Sequence, residues 1–180
     1  PLRYEDETTL TPLGQAQDGD TLQTEGEVIE SRIEMRGRRQ LLVKLRDDEG
    51  AMLSLRFLHF YPSHQKTLAV GTRVRVRGEI RVGFFGREMV HPNFRKVDAD
   101  TPLATSLTPV YPTSAQLPQA YLRKAVASAL RRAPLDEVLP MALVPKGLPA
   151  LRDALNFLHH PPPSAGLATL EDHTHPAWQR

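Results

Sequence analysis

The chain has 180 residues with 23 Lys and Arg, 21 Asp and Glu, and no cysteine, which gives a formal net charge of +2. Without cysteine there is no disulfide scaffold, no Cys-ligated zinc site and no thiol nucleophile, and a reducing cytoplasmic compartment is favoured. Apolar runs are too short to span a membrane. Because the chain opens on Pro1 and a polar stretch unlike a signal peptide, we expect a segment of a longer protein.

The basic charge is concentrated in the middle of the chain. Residues 1–19 carry one basic and four acidic side chains, residues 20–97 carry 15 and 10, and residues 98–180 carry seven of each. Nine of the 11 glycines lie at or before Gly86, and 13 of the 16 prolines lie at or after Pro92. These shifts predict a leader (1–19), a basic β domain (20–97), and a connector with a helical brace (98–180).

Alternating apolar and polar residues predict five strands in the β domain, because side chains of a strand point to opposite faces in turn. In chain order they cover residues 21–35, 41–46, 51–57, 73–82 and 88–97. The side chains expected to face the core include Leu41, Val43, Leu45, Leu53, Leu55, Phe57, Val74, Val76, Ile80 and Val82. A short helix is predicted over 63–70, after Pro62.

Five strands with a helix between the third and the fourth are the order of an OB-fold. We therefore predict an α+β protein, a five-stranded OB-fold β-barrel followed by a small helical extension, with another small barrel or a sandwich as the alternative. The extension has helical patterns over 117–132 and 148–159 and a short turn at 135–139.

The residues predict no catalytic site in this segment. Neither Gly-x-x-x-x-Gly-Lys-Ser/Thr nor Gly-x-Gly-x-x-Gly occurs, so no phosphate-binding loop for ATP is recognisable. His173 and His175 have metal-ligand spacing, but a solvated tail is the better interpretation, and no metal site is predicted. We interpret the acids at 47–49 as a turn, because three consecutive side chains cannot converge on one ion.

Two groups of basic residues predict binding to the DNA backbone. The first hairpin contributes Arg32, Arg36, Arg38, Arg39, Lys44 and Arg46, and the fourth strand contributes Arg73, Arg75, Arg77 and Arg81. The alternative is an ordinary charged surface, in which these side chains pair with Glu25, Glu27, Glu30 and Glu79.

Aromatic residues cluster at the end of the third strand, where Phe57, Phe60 and Tyr61 lie within five residues. An exposed ring beside basic residues is a platform for an unpaired base. At least one of Phe60 and Tyr61 is expected outside the core. The alternative for Phe57 and Phe60 is that they are buried and close the end of the barrel. Phe84 and Phe85 lie at a predicted loop tip, which favours exposure.

Four sequence stretches together resemble the wedge region of the RecG family of ATP-dependent DNA helicases. They are PLRYED at the start, GE at 78–79 with GREMVHPNFR at 86–95, LTPVYPT at 107–113, and LHHPPP at 158–163. The resemblance covers essentially the whole chain. It implies a bacterial, nucleoid-associated repair helicase whose wedge splits stalled replication forks and Holliday junctions, while ATP and Mg²⁺ bind motor domains outside this segment.

The resemblance also implies that an aromatic pair at the end of strand three stacks on template bases. The matching positions are Phe57 and Tyr61, with Phe60 as the alternative second member. The implied partners are forked and four-way DNA and the motor domains, which the helical brace is expected to contact. Two other hypotheses are an interaction module that docks single-strand binding protein and a plain single-strand nucleic-acid binder.

Overall fold

A computed structural model describes residues 1–180, apart from the side chain of Met141. The chain forms two compact units. One is Thr9–Pro102, and the other combines Pro1–Thr8 with Leu103–Arg180. The residues expected to form one leader are thus divided between the two units.

The structure contains nine strands and four α-helices in the described part of the chain. The strands are β1 (Arg3–Glu5), β2 (Thr21–Arg36), β3 (Arg38–Arg46), β4 (Met52–Phe57), β5 (Arg73–Glu79), β6 (Arg81–Gly83), β7 (Gly86–Val90), β8 (Asn93–Lys96) and β9 (Thr108–Val110). The helices are α1 (Pro62–Thr67), α2 (Gln119–Arg132), α3 (Leu151–His159) and α4 (Leu167–Glu171).

Strands β2 to β8 form one sheet in the order β6-β7-β4-β3-β2-β5-β8. Neighbours are antiparallel except β4 and β7, which are parallel. Because β7 and β8 are consecutive in the chain yet pair with β4 and β5 respectively, the sheet curls into a barrel. The predicted OB-fold class is confirmed, with α1 between the third and fourth long strands.

The sheet has seven strands rather than the five predicted. The predicted fourth strand ends at Glu79, and β6 then pairs with β7 in a separate hairpin. The predicted fifth strand is interrupted at His91 and Pro92. His91 has φ +51 and Pro92 lacks an amide proton, so the ladder cannot continue through them.

The alternating apolar residues fill the barrel as predicted. Leu41, Val43, Leu45, Leu53, Leu55, Phe57, Val74, Val76 and Ile80 are all buried. Val82 is the exception, because it lies in β6 beyond the barrel and is exposed. Gly26 permits a close crossing of strands, since a Cβ atom there would lie 2.6 Å from the carbonyl oxygen of Arg46.

The second unit has its own core around β1, β9 and the helices. Its buried residues are Tyr4, Leu107, Ala154, Leu158, Leu170 and Ala177. The hydroxyl of Tyr4 donates a hydrogen bond to the carbonyl oxygen of Leu158 at 2.8 Å. Burial raises the pKa of Tyr4 to about 12. The β1–β9 pair and α4 were absent from the sequence prediction.

The end of the chain is packed rather than solvated. His175 stacks on Phe157 with ring centres 4.4 Å apart, and its Nδ1 accepts the amide of Ala177 at 3.2 Å. Trp178 donates to the carbonyl oxygen of Leu170 at 3.0 Å. The expectation of a solvated tail is therefore wrong for His175, whereas His173 is exposed.

Candidate nucleic-acid interface

The hairpin between β2 and β3 presents three unpaired arginines. Gly37 forms the turn with φ +71, a conformation that glycine adopts without strain. Arg36, Arg38 and Arg39 surround it and are exposed. Among the described side chains, no carboxylate forms an ion pair with any of these three. Their positive charge is therefore available to an external anion.

Sheet pairing places this hairpin beside the aromatic residues that follow β4. Leu41 of β3 is opposite Phe57 of β4, so the chain before Leu41 and the chain after Phe57 lie together. The guanidinium carbon of Arg39 is 5.0 Å from the centre of the Phe60 ring, within the range of a cation–π contact.

Tyr61 presents the exposed aromatic ring of this region. Its exposed fraction is 71%, and it contacts the ring of His64 edge-on with centres 5.3 Å apart. Phe60 is half-buried and packs against the barrel core. We call Arg38, Arg39, Phe60 and Tyr61 the hairpin surface, because cations and an aromatic ring there face solvent at one end of the barrel.

Phe57 does not belong to this surface. It is only 2% exposed and makes edge contacts with Phe94 at 5.4 Å and His91 at 6.0 Å between ring centres. A base cannot stack on a ring whose two faces are covered by the core. This corrects the expectation that Phe57 stacks on a template base, and the alternative that it closes the barrel applies.

His91 is one of the groups that cover Phe57. Its Nε2 accepts the amide of Leu58 at 3.2 Å. Burial, followed by the charges of His59, Arg38 and His64, lowers the pKa of His91. The lowered pKa favours the neutral ring, which is the form that can accept this hydrogen bond.

Arg75 is internal rather than available to DNA. Only 4% of it is exposed, and its Nε donates to Glu25 at 2.8 Å. Its terminal nitrogens donate to the carbonyl oxygens of Thr101 at 2.8 Å and Pro102 at 3.1 Å. The connector thus covers the outward face of β5, which corrects the prediction that Arg75 contacts phosphate.

Arg73 is also occupied by carboxylates. Its Nε donates to Glu25 at 2.7 Å, and its terminal nitrogens donate to Asp48 at 2.9 and 3.0 Å. The hydrogen bonds that Arg73 donates to Asp48 and then to Glu25 raise the pKa of Arg73, and Arg73 in turn lowers the pKa of Asp48. Asp47 accepts the amides of Glu49 and Ala51, as predicted for a turn residue.

Several other predicted DNA contacts are engaged in surface ion pairs. Glu30 lies 2.8 Å from Arg32 and 3.0 Å from Lys44, and Glu79 lies 3.7 Å from Arg81. Such exposed pairs are weak and exchange readily with other anions. The remaining predicted residue, Arg77, is half-buried in β5.

A cleft of about 490 Å³ lies between the outer faces of β2, β3 and β4 and the β6–β7 hairpin. Sequence reasoning gave no role to Arg56 and Arg87, which line it. Two features of the sequence could have indicated this cleft: the outward position of Arg56 in the strand pattern, and the pair of glycines around the predicted loop tip. Arg56 donates to Glu88 at 3.0 and 2.7 Å, which raises the pKa of Arg56.

The described residues show neither a metal cluster nor a membrane span. No three His, Asp or Glu side chains among them are grouped to hold a metal ion. Within the same part of the chain, no helix has the length and apolar character to cross a bilayer.

The barrel and its basic, aromatic surface define an OB-fold domain. A comparison with protein families matches residues 1–132 to the RecG wedge domain. The chain belongs to the RecG wedge domain family.

Curated relatives agree with this assignment. The chain is 42% identical over 185 residues to the ATP-dependent DNA helicase RecG of Escherichia coli (strain K12) and 35% identical to that of Pasteurella multocida (strain Pm70). Each match covers 100% of this chain and 26% of the relative, so the chain spans about a quarter of the length of these proteins.

A solved structure of RecG bound to a three-way DNA junction shares the fold. The TM-score is 0.69 at 21% identity, and the match covers 90% of this chain and 23% of that chain.

Proposed function

We propose that this chain is the branched-DNA-binding wedge of a RecG-like helicase that splits strands at stalled replication forks and Holliday junctions during DNA repair and recombination. The observation that carries the proposal is the hairpin surface, where Arg39 lies against the Phe60 ring and the next residue, Tyr61, exposes its ring to solvent. Membership of the RecG wedge family and the relative bound to a three-way junction support the same ligand.

In this proposal, the hairpin surface acts without reading sequence. Arg38 and Arg39 hold backbone phosphates, which position DNA but carry no sequence information. Tyr61 stacks on a base that has lost its neighbour at the branch point, which contributes about 1–3 kcal/mol. Phe60 supports the guanidinium of Arg39 from below. The rigid barrel then keeps the separated strands apart.

ATP hydrolysis belongs to other parts of the full protein. The relatives are named ATP-dependent helicases, but this chain has no Gly-x-x-x-x-Gly-Lys-Ser/Thr loop to hold phosphates. ATP and Mg²⁺ bind the motor domains in this proposal, and no step is assigned to them here. The helical unit contacts those domains, and the whole protein works on the chromosome in the bacterial cytoplasm.

The test is the salt dependence of fork binding by the full-length protein. Arg38→Ala with Arg39→Ala removes two phosphate contacts, so the slope of log K against log salt is expected to become shallower by about 1.4–1.8. Fluorescence anisotropy with a labelled fork and a matched linear duplex measures the slope. The wild type is expected to prefer the fork.

The control is Arg95→Ala with Lys96→Ala, which removes the same charge from exposed positions on β8. It is expected to leave the slope within error. An unchanged slope in the hairpin variant would contradict the proposal. Loss of binding to single-strand binding protein, with fork affinity intact, would instead favour a protein-docking role.

A further inference from the structure

His91 has a strained backbone conformation. Its φ is +51, and His173 with φ +61 is the other non-glycine residue with a positive φ among those that the structure describes. Residues with a Cβ atom rarely adopt this region, so such a residue is kept where the surrounding structure fixes it and often serves a function. His91 lies in the stretch GREMVHPNFR, and the hairpin surface does not include it. The conformation therefore points to a task for its side chain.

The backbone on both sides of His91 is anchored to the barrel. The amide of His91 donates to the carbonyl oxygen of Arg56 at 2.9 Å, next to the parallel pair of Val90 and Arg56. Pro92 is buried, and a Cβ atom at Gly78 would lie 3.2 Å from the Cβ of Pro92, so the chain packs closely on β5 here. His91 is thus fixed from both sides at the end of β7, beside the end of β4.

The imidazole ring of His91 holds the chain just past β4. Its Nε2 accepts the amide of Leu58 at 3.2 Å, and Leu58 lies one residue beyond Phe57, the last β4 residue that pairs with β3. The ring also meets Phe57 edge-on and stacks on His59, with ring centres 6.0 Å apart in both cases. The imidazole therefore contacts three consecutive residues at the point where the chain leaves the sheet.

A short segment connects this contact to the hairpin surface. Residues 58–61 form neither helix nor strand, and they carry Phe60 and Tyr61, the two aromatic members of the hairpin surface. The far end of the segment is fixed at α1, where the amide of His64 donates to the carbonyl oxygen of Tyr61 at 3.0 Å. Because the segment is so short, the position of Leu58 limits where the Tyr61 ring can lie.

Protonation of His91 would remove the hydrogen bond to Leu58. A neutral imidazole has one nitrogen that accepts, whereas both nitrogens of an imidazolium are donors. The charged or titratable groups that face the ring are His59 after β4, Arg38 on the hairpin and His64 on α1. All three are basic, so they oppose a further positive charge, and burial followed by these groups lowers the pKa of His91.

We propose that His91 is a positioning residue of the hairpin surface, whose neutral imidazole holds the Leu58 amide so that Tyr61 is presented to an unpaired base. His91 acts through Tyr61 and does not touch DNA itself. Protonation releases Leu58, so acid weakens the stacking by Tyr61 while the phosphate contacts of Arg38 and Arg39 persist. The inference rests on the proposed function in taking Tyr61 as the stacking ring, whereas the hold on Leu58 is measurable without DNA.

The test compares His91→Leu with His91→Gln in the full-length protein. Both new side chains meet the same strain at a positive φ, but only Gln supplies an acceptor near the position of Nε2. Fork affinity at neutral pH is expected to fall by about 5-fold or more in the Leu variant, the lower end of what one stacked base contributes, and to stay near the wild type in the Gln variant. Equal affinities of the two variants would overturn the proposal.

The matched control is His173→Leu, which places Leu at the other positive φ, in the other unit. It is expected to bind the fork like the wild type, so a loss in His91→Leu alone is not a general effect of Leu in this conformation. Thermal unfolding checks that each variant is folded.

A double-mutant cycle shows whether His91 acts through Tyr61. Tyr61→Ala is expected to weaken fork binding, and adding His91→Leu is expected to weaken it no further, because the ring that His91 positions is already absent. Additive losses would overturn the positioning role, since they would give His91 an independent contact.

The pH profile tests the release by protonation. Between about pH 7 and pH 5, the wild type is expected to lose fork affinity relative to the Gln variant. His59 and His64 titrate in both proteins, so their effect cancels in the ratio of the two affinities. A ratio that stays constant or changes in favour of the wild type would overturn the release by protonation.

Hydrogen exchange of the free protein separates this inference from the proposed function. Without DNA, the peptide that contains residues 58–61 is expected to exchange faster in His91→Leu than in His91→Gln or His173→Leu. If exchange rises while Tyr61→Ala leaves fork binding unchanged, the stacking role of Tyr61 fails and the hold by His91 stands. Unchanged exchange in His91→Leu would overturn the inference, whatever the fork affinities are.

Discussion

Replacement of Arg75 distinguishes a structural arginine from a DNA-binding one. Arg75→Met keeps the length of the side chain but removes its hydrogen bonds to Glu25, Thr101 and Pro102. Glu25, which is 8% exposed, is left buried with Arg73 as its remaining partner at 2.7 Å. Removing one member of a buried ion pair is far more costly than removing both.

The expected loss of stability is large for one substitution. Breaking a buried pair costs about 3–5 kcal/mol, and the remaining contact with Arg73 places the expectation at about 3 kcal/mol. With a denaturant slope of about 2 kcal/mol/M, the urea midpoint falls by about 1.5 M. Adding Glu25→Gln removes the uncompensated charge and is expected to restore at least half of the loss.

Urea denaturation followed by circular dichroism measures these changes, and fork anisotropy at several salt concentrations measures DNA binding. The control is Arg95→Met on β8, where an exposed arginine lies opposite Arg75, and its free energy of unfolding is expected to change by less than about 0.5 kcal/mol. The salt slope of the Arg75 variant is expected to match the wild type. An unchanged urea midpoint together with a shallower salt slope of fork binding would refute the structural role of Arg75.

Two further predictions follow from burial. Phe57→Ala leaves a cavity in the barrel and is expected to lower the free energy of unfolding by about 3–5 kcal/mol, whereas Tyr61→Ala leaves stability nearly unchanged and weakens fork binding. Urea denaturation and fork anisotropy on both variants test this. A stable Phe57 variant with weak fork binding, beside an unstable Tyr61 variant with normal fork binding, would contradict the site. Burial lowers the pKa of His159 to about 4 from an ordinary 6.5, so the unfolded chain binds the extra proton and stability falls as pH drops through 6.5 towards 4. For this half-buried ring the free energy of unfolding is expected to fall by about 1–2 kcal/mol between pH 7 and pH 5. Urea midpoints at the two pH values measure the change. An equal fall in His159→Gln would show that another titratable group causes it.

The local pattern of the sequence was sufficient for the barrel core and for the basic hairpin. Val74 and Val76 alternate with arginines, and alternation depends only on the geometry of a single strand. Gly37 between arginines likewise identifies an exposed turn from local chemistry. The four stretches that resemble the RecG wedge region were sufficient to predict the family, since their residues and their order can be read directly along the chain.

Only the tertiary structure decided which outward side chains reach solvent. Alternation places Arg75 on the outer face of β5 but cannot show that Thr101 and Pro102 cover it. It also cannot show that Phe94 covers Phe57 while Tyr61 stays open. A strand's pattern identifies residues that share a face, whereas exposure depends on segments that are distant in sequence and meet only in the folded chain.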